Sequence, residues 1–274
     1  MTKPKIFYAF VPTAFGVLAA CGGASPEMVT DTPRPIITPF SEETDPEVTL
    51  AGVFLDSGAR TTGSLNGTLD RTSEELSIGT QSGRVNADAT EVLLADGGRI
   101  AITPSQAGFA ARFIATPQNS ARTIGVIGVA TPVADLPNGS ASFSGNADVI
   151  IQDDVTLYTL TGDASLTANF SVRGGSVTTE VTDLKGTQRL GVTAPESVND
   201  VATITFSDSE MLRATFSGGA LTLNSDKLTA ISDDAVVSLD GVFLGDGADE
   251  VGVTFVIDDD AAGSITAFGT ILAD

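Results

Sequence analysis

Histidine and tryptophan are absent from this 274-residue chain, tyrosine occurs twice and cysteine once. Without histidine there is no Ser-His-Asp arrangement, no imidazole base and no usual nitrogen ligand for zinc or haem. A lone cysteine, Cys21, excludes an internal disulfide. Basic residues are scarce: 14 Lys and Arg stand against 35 Asp and Glu, a net charge of −21. A surface of that sign repels phosphate backbones and anionic headgroups, which argues against any nucleic-acid partner. Hydrolysis by paired carboxylates needs only Asp and Glu, but no pair stands in a recognisable setting. The residues therefore read as those of a non-enzyme with no catalytic group.

What is present begins at the N-terminus. Lys3 and Lys5 precede an apolar run from Ile6 to Leu18, which ends in Leu18-Ala19-Ala20-Cys21. The run is shorter than the roughly 20 residues of a transmembrane helix and suits a signal-peptide core. Small residues ahead of the cysteine resemble a lipobox, so residues 1–20 are expected to be a signal peptide and Cys21 the lipidated N-terminus, palmitate being one of its acyl chains. Removal of Lys3 and Lys5 leaves 12 basic against 35 acidic residues, a net of −23, so attachment to a membrane is expected through the lipid and not through a polybasic patch. Gly22 and Gly23 follow the cysteine where an aspartate resembles an inner-membrane retention signal. Outer-membrane anchoring, on the periplasmic or cell-surface face, is the expected location. Pro26, Pro33, Pro35, Pro39 and Pro46, interspersed with acids, make residues 21–47 read as a tether.

From Val48 onward short β-patterned runs are broken by turn residues, with little helical periodicity. Val48 to Leu55, Gly63 to Leu69, Glu91 to Leu94, Arg99 to Ile102, Phe109 to Ala115 and Ile124 to Ala130 predict one antiparallel sheet system, a handle over 48–131. Pro132 and Pro137 mark a boundary. Beyond it, eight to ten short antiparallel runs from Ser140 to Phe268 predict a small eight-stranded barrel over 138–274, with Asp183 to Asp200 as a longer irregular connection. The fold class is all-β. Val48 to Ala59 matches Val237 to Ala248 at eight of twelve positions, which reads either as a duplicated sheet unit or as the same local solution reached twice.

The last strands carry a resemblance. Gly241-Val242-Phe243-Leu244-Gly245, then Ala248 to Phe255, then Gly263 to Gly269, resemble the closing hairpin of transferrin-binding protein B barrels, in which a Gly-x-Phe-Tyr-Gly turn leads to a strand ending in Phe and a terminal Gly-x-Phe-Gly. Gly139 to Gly145 is similar to that family's opening strand, and Ala164 to Val177 to its second and third. About half of the chain beyond Cys21 is covered. Leu244 stands where the family has Tyr, and Val253 where it has Gly. The resemblance implies the barrel fold and a surface-lipoprotein character; the loops that hold transferrin in the large members have no counterpart to align.

Phe243, Phe255 and Phe268 are expected to point into the barrel, and Glu250 to cap exposed amides or pair with a base. Asp246, Asp249 and Glu250 also offer the carboxylate oxygens that calcium takes, without the spacing of a defined calcium loop; the other reading is a solvated acidic turn. No other cofactor is expected. The function expected is non-catalytic binding of a protein or small-molecule ligand through loops or the handle face, and the alternative is a structural or shielding lipoprotein without a dedicated ligand.

Overall fold

The computed structural model describes Phe40 and residues 45–86, 90–118, 121–171, 174–259 and 265–274. The expected signal segment, Cys21 and most of the tether lie outside these residues. Among the described residues eighteen strands follow one another in chain order, with a short 3-10 turn at Val133–Asp135 between the eighth and ninth. No helix among the described residues is long and apolar enough to cross a membrane.

The first eight strands are β1 (Glu47–Asp56), β2 (Thr61–Asp70), β3 (Glu75–Ile78), β4 (Gln81–Val85), β5 (Glu91–Leu94), β6 (Arg99–Pro104), β7 (Ala110–Thr116) and β8 (Thr123–Val129). Each pairs antiparallel with the next, and β8 pairs back onto β1 from Leu50 opposite Val129 to Asp56 opposite Thr123. The expected antiparallel sheet handle is a closed eight-stranded barrel. The reading missed β3 and β4, which are four and five residues long and carry only Leu76, Ile78 and Val85 inward. Those two strands close the gap that an open sheet would leave.

Asx turns initiate the hairpins: Asp56 Oδ1 accepts from the Gly58 and Ala59 amides, Asp70 Oδ1 from Thr72 and Ser73, and Asp96 Oδ1 from Gly98. Leu50, Leu69, Leu76, Ile100, Phe113 and Ile127 fill the interior. Phe40 joins them, fully buried inside the stretch read as tether, and Arg71 Nη2 donates to its carbonyl at 2.6 Å. Burial of a side chain of that size contributes ~1.5–3 kcal/mol, enough to fix this point of the chain on the first barrel.

The second system comprises β9 (Gly139–Asp153), β10 (Thr156–Phe170), β11 (Gly175–Leu190), β12 (Glu196–Val198), β13 (Thr203–Leu212), β14 (Thr215–Ser217), β15 (Ala220–Asn224), β16 (Val236–Leu244), β17 (Glu250–Asp258) and β18 (Ile265–Ala273). A ring of eight, β9, β10, β11, β13, β14, β16, β17 and β18, closes through the pairings of β11 with β13 and of β18 with β9. β12 and β15 are appended to it. Strands of 15 and 16 residues replace the short runs expected, because β10 pairs along its whole length with β9 and β11, and past Val181 β11 pairs with β12 in place of β13. Residues 183–190 accordingly belong to β11 and not to an irregular connection.

Inside this barrel Phe243 meets Phe143, Phe170 and Phe216 at centroid distances of 5.7, 5.0 and 5.3 Å, and Phe206 meets Phe255 at 5.3 Å. Tilted pairs at that spacing suit the ring quadrupoles. Two of the rings lie over cross-strand glycines: a Cβ on Gly241 or Gly269 would fall 2.1 Å from Phe216 or Phe255. Phe243 and Phe255 are inward, as expected. Phe268 is not: Ile265, Ala267, Ile271 and Ala273 occupy the inward positions of β18, so the alternation puts Phe268 outside.

The barrels pack on each other through Val53, Ala110 and Val126 of the first and Val242 and Leu244 of the second. Gly252 lies against the Val126 side chain, and Gly128 against Leu244, where a Cβ would come within 3 Å. Backbone approach this close needs glycine on one side. Gly245 N donates to Val129 O, Thr131 Oγ1 to Gly245 O, Thr254 Oγ1 to Phe54 O, and Arg60 Nη1 pairs with Asp258 at 2.7 Å. Thr62 joins Ser238 and the Asp240 carboxylate across the same seam. The echoing segments meet here: Val53 and Val242, equivalent in the match, lie in one cluster. Yet β1 opens its barrel whereas β16 is the sixth strand of its ring, which favours a shared solution for an outward-facing interface strand over a duplicated unit.

Candidate binding site

The two ends of the second barrel differ. At one end the chain from Asn224 to Val236 crosses the gap between β15 and β16, which do not pair with each other. Leu228 and Ile231 pack onto the core there, Asp259 accepts from Ser232 N at 2.7 Å and Ser232 Oγ at 2.8 Å, and Asp153 accepts from Thr229 N at 3.0 Å. This end is covered.

The opposite end is open. Linker residues Val133 to Asn138, the β10–β11 turn and the β13–β14 turn surround a cup of about 760 Å³. Its floor is Phe170 and Met211, both nearly buried, and the Phe243 cluster beneath seals the barrel interior. Its lip carries two large apolar side chains that the core does not use, Val133 at 57% and Leu212 at 72% exposure. Leu212 is outward because the preceding Met211 takes the inward position of β13, and Arg213 follows in a left-handed conformation (φ 59°), with Thr215 Oγ1 donating to Leu212 O to tighten the turn. Glu210, Arg213, Asn138 and Asn169 supply polar groups of both signs around the apolar floor. Among the described residues Glu210 and Arg213 are the titratable groups of its lining. The cup can hold an apolar side chain amid hydrogen bonds, which is contact chemistry.

The residues predicted as oxygen ligands are separated. Asp246 and Asp249 are exposed in the β16–β17 turn, where Asp249 Oδ2 accepts from Gly247 N at 3.3 Å. Glu250 is 1% exposed and turns to the first barrel, accepting from Phe109 N at 2.9 Å. Burial raises its pKa above the ordinary carboxylate value, against hydrogen bonds from Ser105 and the Phe109 and Ala110 amides that favour the charge. Amide capping is thus the role it fills. Among the described residues no three His, Cys, Asp or Glu side chains converge as a metal would require. Cys21 lies outside the described residues.

Sequence reasoning did not find Val133, Met211 or Leu212 as a group, since they are distant in the chain and joined only by the barrel end. The two prolines around Val133 were the one available signal.

No protein-family model and no curated protein matches the chain. Among solved structures it is similar to two variants of transferrin binding protein B from Haemophilus parasuis Hp5, with TM-scores of 0.53 and 0.50 at 13% and 14% identity, covering 82% of this chain and 45% and 44% of theirs. The isotype 1 protein of serogroup B Neisseria meningitidis gives 0.48 at 15% identity, covering 82% and 43%. The chain spans less than half the length of these structures. It shares with transferrin binding protein B the all-β barrel fold.

Proposed function

We propose that the chain is a lipid-anchored outer-membrane protein that binds a protein ligand without catalysis, using the open end of the second barrel. The observation that carries the reading is the cup itself: Leu212 and Val133 stand exposed over a sealed apolar floor, and nothing in the fold needs them there. The fold supports it, since proteins with this architecture are named for binding transferrin. The ligand is stated as a protein because large exposed aliphatics rimmed by mixed polar groups suit a protein surface better than a free polar solute.

The test is to immobilise the full chain, expose it to the fluid surrounding its host cells, identify retained proteins by mass spectrometry and measure the affinity of each. A Leu212→Asp, Val133→Asp double variant that keeps the wild-type melting temperature should lose at least tenfold in affinity for the retained ligand. Equal affinity would place the site elsewhere, and failure of the wild type to retain any protein would favour the shielding-lipoprotein reading.

A further inference from the structure

The interface between the barrels is closed along only part of its length. Near Val53 and Leu244 the outer faces interdigitate, but on the flank formed by β6, β7 and β8 of the first barrel and β9, β10, β11 and β18 of the second they separate around a groove of about 420 Å³. Ile114 and Ile124 line one wall, Ile150 and Phe268 the other. All four point away from their own barrel cores and remain partly exposed. Aliphatic and aromatic side chains facing each other across an unfilled space gain by its being filled, at ~25 cal/mol per Å² removed from water, and the volume lies in the ~300–1,000 Å³ range of small-ligand sites.

The charges around this groove are opposite to those of the molecule. In a chain of net charge −21 its lining carries three cations, Arg112, Arg122 and Lys185, and a single carboxylate, Asp148. Arg112 is committed to Asp148 at 3.0 Å and to the Asn146 carbonyl, and burial lowers its pKa. Lys185 is held by Asp183 at 2.5 Å, outside the lining. Arg122 is exposed, and its guanidinium forms no ion pair among the described residues. An apolar slot with an uncommitted guanidinium at its mouth selects a ligand that is apolar along its length and anionic at one end.

We propose that this groove binds a single-chain aliphatic carboxylate, the chain lying between Ile114, Ile124, Ile150 and Phe268 and the carboxylate on Arg122. It is separate from the cup at the end of the second barrel and does not depend on the role of that cup.

The test is a fluorescence titration of the full chain, delipidated, with cis-parinarate, a C18 polyene carboxylate. Saturable binding at one site per chain is expected. Arg122→Gln should weaken it about tenfold or more, the range of a charge-assisted hydrogen bond, whereas the methyl ester of the probe should bind wild type and Arg122→Gln alike. Ile114→Trp, which fills the groove, should abolish binding while the melting temperature is kept; Ile124→Trp serves if that variant does not fold. Absence of saturable binding by the folded wild type overturns the proposal. So does binding that survives the filled groove, or binding that is indifferent to both Arg122 and the probe's charge.

Discussion

Glu250 shows how much one side chain depends on its surroundings. In sequence it closes an acidic run, Asp246 to Glu250; in the structure it is withdrawn between the barrels, with Phe109 N as a donor. Desolvation raises its folded pKa above the ordinary 4.5. A raised folded value means that protonation favours the fold: the contribution is fully present below about pH 4.5 and is lost as pH rises through the higher folded value. Glu250→Gln keeps an acceptor for Phe109 and removes the charge. Urea midpoints between pH 4 and 8 should therefore show the variant gaining on wild type as pH rises, with the two curves converging at the acid end. Curves parallel throughout would mean that the Glu250 pKa is the same in the folded and unfolded chain, which would overturn the raised folded value. At the same scale Phe243, Phe255 and Phe268 share the sequence pattern of core aromatics, and the structure places two of them, Phe243 and Phe255, inside the barrel. The third differs because register against β9 and β17 decides which face of β18 is inward, and register depends on partners far along the chain.

Among the elements, the second ring has one weak seam. β14 bridges β13 and β16 with three residues, Thr215–Ser217, and beyond it β15 and β16 run unpaired. Residues 225–235 cover that gap, held by Asp153 and Asp259 from the ends of β9 and β17. Asp259 is 4% exposed and takes two bonds from Ser232. Its replacement by Ala leaves the part-buried Ser232 amide and hydroxyl without their charged acceptor, a cost of roughly 1–3 kcal/mol. The loss should be local first: hydrogen exchange of residues 225–235 and 236–239 should accelerate well before that of β9 or β10. Uniform acceleration over the barrel would show that the covering segment is not a separate unit. Most strands were legible from alternation and turn residues, but β3 and β4 were not, because four- and five-residue strands with two or fewer inward apolar groups give too short a period to count.

Across the whole molecule the two barrels behave as parts of one folding body only if their interface is tight. β17 shows this in its burial: every residue from Glu250 to Ile257 is buried, one face by its own core and the other by the first barrel. Gly252 sits where a Cβ would come 2.6 Å from Val126, so Gly252→Val should force the barrels apart at that point, costing ~1–3 kcal/mol by overpacking. A single melting transition in the wild type should broaden or split in the variant, which calorimetry would read directly. A variant with an unchanged single transition would show that the seam at Gly252 accommodates the added side chain without uncoupling the barrels.

The sequence alone settled what needs only local information: an all-β chain, because alternation and Asx-Gly turns are short-range; a strongly acidic surface; a chain without imidazole or disulfide chemistry; and Phe243 and Phe255 as core. Tertiary structure decided the rest. Closure of the first sheet, the outward turn of Phe268, the withdrawal of Glu250 from its acidic neighbours and the assembly of Val133 with Leu212 all follow from pairings between residues tens of positions apart. A strand reads the same whether its sheet is open or closed, and a face buried by a second barrel carries the same apolar residues as a core. Only the partner across the gap distinguishes them.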